Sequence, residues 1–210
     1  ERMATIPSWR AGLALLYVGL RQDTLARQEF EQVVAGNFID ISRDANWMIA
    51  MTNLAQVSAY LRDTARSTRI YELLLPYADR CLVVGAALLC LGSMAWYLGI
   101  LATALGRWEE AEAHFVMALR RNTQLGAKPM IVQTKQRHAM MLLARKHPGD
   151  THRALTLLEE ALTMSQRIDM ELTSQHIVSL REQTLQALQT RLSSAPAGTR
   201  PKLARQRSSD

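Results

Sequence analysis

The sequence predicts an all-α fold of stacked helix pairs, and three observations carry that reading. The chain has 210 residues, of which 48% are hydrophobic and only 6% aromatic, with Ala and Leu dominating the apolar set. These are the residues that lose least on entering a helix. Gly (10) and Pro (6) are sparse, and Pro76, Pro129 and Pro148 with Gly106 and Gly149 fall at candidate element boundaries. Finally, small residues recur in similar surroundings at Ala26, Ser67, Ala111 and Ala154, spaced 41, 44 and 43 residues apart. A β-sandwich or barrel would want more β-branched and aromatic residues and more turns. Extensive disorder does not fit this apolar content. A chain this long buries roughly 70% of its unfolded surface, so its core needs no disulfide or metal.

Taken in order, Leu13-Ala14, Leu20, Ala26, Phe30 and Val33 outline a first helix pair, followed by a connection over Asn37 to Asn46. Leu54-Ala55, Leu61, Ser67, Tyr71 and Leu74 outline a second, with a further connection from Pro76 to Leu82. The third is the clearest: Tyr97-Leu98-Gly99, Leu105-Gly106-Arg107-Trp108-Glu109-Glu110-Ala111, then Phe115, Ala118 and Leu119. Gly99 and Ala111 would let its two helices approach closely, while Phe115 fills the gap toward the next pair. Met141, Gly149-Asp150, Ala154, Leu158 and Ala161 outline the fourth. A last helix over Leu172 to Leu192 would cap the stack with a polar face of Arg181, Glu182 and several Gln. Pro76, Pro129 and Pro148 fall between helices, where a missing N–H does least harm. Gly106-Arg107 and Gly149-Asp150 mark tight turns within pairs. The organisation is therefore a helical repeat domain over 1–192 and a disordered basic tail over 193–210.

Charge and cysteines narrow the function classes. The formal net charge is +6, but from Arg191 onward five basic residues face the single acid Asp210, which leaves only +2 for residues 1–190. The basic excess thus belongs to the tail rather than to a folded face, and no specific nucleic-acid partner is expected. Cys81 and Cys90, the two cysteines, fit neither a disulfide framework nor a CxxC site and suit a reducing cytoplasm. The stretch Cys81 to Gly106 carries no charge and is long enough to span a bilayer. Its four glycines and its isolation favour a buried helix pair instead, so no membrane partner is expected. The opening Glu1-Arg2-Met3 has no basic-then-apolar leader, and the chain reads as part of a longer polypeptide.

The third unit resembles a tetratricopeptide repeat. With Gly92 as the first position, Leu98 and Gly99 are seventh and eighth, Ala111 twentieth, Phe115 twenty-fourth and Ala118 twenty-seventh. Ala95, Ala102 and Thr123 depart from the pattern, and the spacing exceeds the usual repeat of about 34 residues. The resemblance implies a right-handed superhelix of about four such pairs plus the capping helix. The residues between these positions are more particular. They include Phe38, Asp40, Asp44 and Trp47; Tyr71-Glu72-Leu73-Leu74-Leu75-Pro76-Tyr77; Ala113-His114-Phe115; Asn122, Gly126-Ala127 and Pro129; and Met141-Leu142-Leu143-Ala144-Arg145 before Pro148-Gly149-Asp150. Over about residues 10–172 this is similar to the C-terminal repeat region of large bacterial signalling ATPases of the AAA or STAND kind. Many of these carry a class III adenylate/guanylate cyclase or a LuxR-type DNA-binding domain. The GxxxxGK[ST] phosphate loop is missing from this sequence, as is a helix-turn-helix signature. No paired Asp for metal-dependent cyclisation stands on a strand-like segment either.

The candidate chemistry is accordingly that of an interaction surface. His114, His138, His147, His152 and His176 are scattered without zinc spacing, so no metal and no cofactor is expected. Glu109, Glu110 and Glu112 suit a helix start, where negative charge meets the positive end of the dipole. Glu159 and Glu160 read as a solvated face, and no nucleophile elbow occurs, so no catalytic residue is nominated. By resemblance, the first helix of each pair lines a concave face. This nominates Asn53, Gln56, Tyr60, Trp96, Ile100 and Gln136 for partner binding, with Trp96 the aromatic anchor. The sequence thus reads as a non-catalytic scaffold of a cytoplasmic bacterial signalling protein. Its partner would be a protein or peptide, including an ATPase or output domain in the same polypeptide. A free-standing peptide-binding adaptor and a fragment of a ligand-responsive transcriptional regulator are the alternatives.

Overall fold

The computed structural model describes residues 7–35, 38, 41, 43–44, 46–84 and 89–194. The chain is mostly helical: α1 (Pro7–Gly19), α2 (Asp23–Val34), α3 (Trp47–Tyr60), α4 (Thr64–Leu74), α5 (Met94–Ala104), α6 (Trp108–Gln124), α7 (Lys128–Arg145), α8 (Asp150–Arg167) and α9 (Glu171–Ser194). Two short strands, β1 (Cys81–Val84) and β2 (Leu89–Ser93), separate α4 from α5.

The spacing of small residues finds its cause in the packing. Ala26, Ser67, Ala111 and Ala154 lie on α2, α4, α6 and α8, and each is completely buried. Four residues further on, Phe30, Tyr71, Phe115 and Leu158 are buried as well, one helical turn along the same face. A Cβ on Gly99 would come within 2.8 Å of the Phe115 ring, so α5 and α6 meet at a distance that only glycine permits. The same ring stacks on His138 of α7 at 5.7 Å between centroids. Phe115 therefore does fill the space toward the next pair.

Helices end by a repeated device. After α1, α3, α5, α6 and α8, one residue takes positive φ: Arg21, Arg62, Gly106, Gly126 and Asp169. Its N–H and the next one turn back onto the last helical turn, as in Arg62 N to Ala59 O at 3.3 Å and Asp63 N to Ser58 O at 3.0 Å. This satisfies carbonyls that the helix end would otherwise orphan. Before α4, Asp63 also accepts from Arg66 N at 3.0 Å and caps the helix start.

Four expectations are corrected. The uncharged stretch Cys81 to Gly106 is a β-hairpin followed by one helix, not a helix pair. Val83 and Val84 favour extended backbone, and Gly92 has φ +85, which a continuing helix could not accommodate. The strands pair antiparallel, Val83 opposite Cys90 and Cys81 opposite Ser93, with an irregularity between Cys81 and Val83. The connection drawn over Pro76 to Leu82 is accordingly a 3-10 turn running into β1. Pro129 stands inside the first turn of α7, not between helices, a position where its missing N–H is harmless. The last helix runs two residues past its expected end, to Ser194, and the rest of the proposed tail lies outside the described residues. Asp40 and part of the Asn37 to Asn46 connection also lie outside them. Among the described residues no helix is long and apolar enough to cross a membrane.

Packing is local along the chain. α1 lies on α2 and α3, α3 on α4 and α5, α5 on α6 and α7, and α7 on α8, while α9 lies on α8. Polar side chains tie the second helix of one pair to the second helix of another. Arg66 of α4 makes a two-pronged contact with Glu31 of α2, at 2.7 and 3.3 Å. Tyr71 of α4 reaches Glu110 of α6 at 2.9 Å, and Glu112 of α6 pairs with Arg145 at 2.5 Å and with Arg153 of α8.

Candidate interaction groove

The first helices of the four pairs converge on one depression of about 380 Å³. α1 contributes Leu15 and Val18; α3 contributes Gln56, Ala59 and Tyr60, with Arg62 from the turn beyond it. α5 adds Ile100, Thr103 and Ala104, and α7 adds Arg137, Met140 and Ala144, with Phe115 of α6 behind them. Along each helix most of these positions are separated by three, four or seven residues, which is the spacing of a single helical face.

Of the six nominated residues, Gln56, Tyr60 and Ile100 stand on this wall. Asn53 is half-buried one turn earlier, its amide 3.7 Å from where a Cβ on Gly12 of α1 would stand. Gln136 is half-buried beside Arg137, one position off the groove face. Trp96 is 4% exposed and lies in the core, edge-on to Tyr97 at 4.8 Å, with its indole N–H unpartnered among the described residues.

Among the groove residues that the sequence nomination missed, Arg137 is charged. It is exposed to solvent, yet protein surrounds it on several sides, and this partial enclosure lowers its proton affinity. A guanidinium keeps its charge under such a shift. Among the described residues it has no ion pair and no side-chain hydrogen bond. Only its position one residue after Gln136, facing Met140 and Ala144 at three and seven, could have flagged it.

The remaining polar clusters join neighbouring helices. Tyr71 Oη lies 2.9 Å from both Glu110 Oε2 and His114 Nε2. A phenol has one proton, so donating it to Glu110 leaves His114 Nε2–H to donate to the phenolic oxygen. His114 Nδ1 is then a buried acceptor without a partner, and burial holds the imidazole's pKa down. The Tyr71 hydroxyl is pushed up to about 12 by burial and by Glu110. These contacts join α4 to α6. Asp150, at the start of α8, takes both guanidinium prongs of Arg145 at 2.8 and 2.9 Å, and these hold its carboxyl down at about 2. On β2, Ser93 N donates to Asn122 Oδ1 at 2.9 Å, and the Asn122 amide donates to Thr134 at 3.1 Å, joining the hairpin to α6 and α7. Among the described residues no three His, Cys, Asp or Glu side chains converge as metal ligands would.

No protein-family model, no curated protein and no solved structure matches this chain.

Proposed function

We propose that this chain is a non-catalytic interaction scaffold, a right-handed stack of tetratricopeptide-like helix pairs that takes a protein or peptide segment in its groove. It serves as the repeat region of a cytoplasmic bacterial signalling ATPase or nucleotide cyclase-type regulator, and passes the state of the groove to an attached ATPase or output domain. The observation that carries this reading is the groove itself, walled by one helix from each of four successive pairs. A surface assembled this way spans several units, so an occupant that touches all four changes their relative set. The polar ties from α2 through α8 offer a physical connection between those units.

Two measurements test it. Incubated alone with ATP or GTP and divalent metal, the chain should release no phosphate and form no cyclic nucleotide; clear turnover sinks the non-catalytic reading. Sequencing the genomic locus should reveal a GxxxxGK[ST] segment upstream in the same frame. A gene beginning near Met3 would remove the signalling parent and leave the adaptor.

A further inference from the structure

We infer that the groove selects an acidic peptide, with Arg137 receiving a carboxylate; the inference rests on the scaffold reading above and names the occupant's chemistry. Among the described residues, the groove wall holds two guanidinium groups, Arg62 and Arg137, and no carboxylate. Among the described residues neither forms an ion pair, although the chain pairs many of its other arginines, including Arg10, Arg66, Arg145, Arg153 and Arg181. An exposed guanidinium without a counter-ion keeps its donors free to receive a carboxylate through short, two-pronged hydrogen bonds.

The rest of the wall sets what accompanies that carboxylate. Val18, Ile100 and Met140 present aliphatic surface beside Arg137, which suits an apolar side chain next to the acid. Asp23 and Glu31 lie with Tyr60 and Arg62 in the adjoining depression, and both are engaged, Asp23 by Tyr60 Oη at 2.7 Å and Glu31 by Arg66 at 2.7 Å; Arg21 lies over the Tyr60 ring at 5.9 Å. The chain's own C-terminal segment is a poor occupant. Arg200, Lys202, Arg205 and Arg207 outweigh Asp210 there, and their charge repels the two groove arginines. The occupant is therefore a separate segment in which Asp or Glu alternates with aliphatic residues.

The test uses the full chain, immobilised, and three degenerate short-peptide pools that share Leu, Val, Ala and Phe positions. The remaining positions are Asp/Glu in the first pool, Asn/Gln in the second and Lys/Arg in the third. The acidic pool should be retained about tenfold over its neutral counterpart, with a preference that weakens as salt rises. Arg137→Gln should erase that preference, and Arg137→Lys should restore part of it, while helicity and melting temperature stay unchanged because the residue is exposed. Ala104→Trp, which fills the groove without altering its charge, should abolish retention of every pool. Equal retention of acidic and neutral pools, lost on Ala104→Trp, would overturn the acidic inference and keep the groove. A preference unchanged by Arg137→Gln would also overturn the assignment. Retention of no pool, or retention indifferent to Ala104→Trp, would remove the groove reading with it.

Discussion

His138 shows at the residue scale how this chain gives up stability for a tight interior. Its ring lies in the α6–α7 seam, stacked on Phe115, with Nε2 buried and unpartnered among the described residues. Burial is the main reason its pKa lies below the ordinary histidine value, and the neighbouring Glu112 and Asp150 offset only part of that. The neutral form is thus the one the fold accommodates, whereas the unfolded chain titrates near about 6.5. Below that pH the unfolded state binds a proton that the folded state refuses, so stability falls as the solution is acidified. His114, held down in the same way, adds to the effect. Urea titrations at a series of pH values should show stability flat above about pH 7 and falling below about 6.5, by up to about 1.4 kcal/mol per pH unit for each histidine. His138→Leu removes both the titrating group and the orphan nitrogen, and should flatten that acid limb appreciably. An unchanged limb would assign it to other groups, among them Asp150, whose own contribution is lost only as the pH falls from about 4 toward 2.

Among the elements, α5 and α6 depend most on a single atom that is missing. Gly99→Ala places a methyl within 2.8 Å of the Phe115 ring, and a ring already stacked on His138 has little room to retreat. The substitution should cost about 2 kcal/mol, outweighing the gain in helix propensity of roughly 1 kcal/mol. Phe115→Leu alone should also destabilise. In the double variant, however, the two costs should combine to less than their sum, because the smaller side chain gives the methyl space. Purely additive losses in a chemical-denaturation cycle would rule out this contact as the cause. The close approach of α5 and α6 at Gly99 and Ala111 was legible in the sequence because small residues at a fixed spacing leave a periodic trace, and Ala26, Ser67, Ala111 and Ala154 all proved buried; that Phe115 is the ring facing Gly99 was not. The β-hairpin was not legible in the same way. In an uncharged stretch such as Cys81 to Gly106, apolar runs suit a buried strand and a buried helix equally well. The helix ends at Arg21, Arg62 and Asp169 escaped notice for a related reason, since these residues seldom signal the left-handed conformation that glycine advertises at Gly106 and Gly126. The groove was half legible. Register placed Gln56, Tyr60 and Ile100 on its wall, but Arg137 stands one residue from the nominated Gln136, a rotation of about 100° that only the folded helix resolves.

For the whole molecule, the decisive property is that the most extensive helix contacts run between partners one or two steps along the chain. The buried apolar residues form one continuous cluster from Ala11 to Ile177; under the stacked arrangement proposed above, stability is nevertheless distributed as neighbour interfaces along that cluster. The two ends should then differ in what their removal costs. α1 lies against both α2 and α3, where Ala50, Met51 and Leu54 are fully buried, whereas α9 lies against α8 through a seam that includes Ile177 and the Ser165–Ser174 hydroxyl contact at 2.7 Å. Deleting residues 1–46 should therefore lower the urea midpoint more than deleting residues 171–210, although the first deletion takes two helices of 13 and 12 residues and the second takes one of 24. In both truncated chains the circular dichroism of the remaining helices should persist roughly in proportion to the residues kept, because their own interfaces are intact. Hydrogen exchange on the whole chain offers the same comparison without deletion. Amides of α9 should exchange before those of α5 and α6, which have packed neighbours on both sides along the chain. Collapse of all helicity on losing the first pair, or uniform exchange from end to end, would mean that the helices share a single indivisible core, and a groove assembled unit by unit could not then respond one pair at a time.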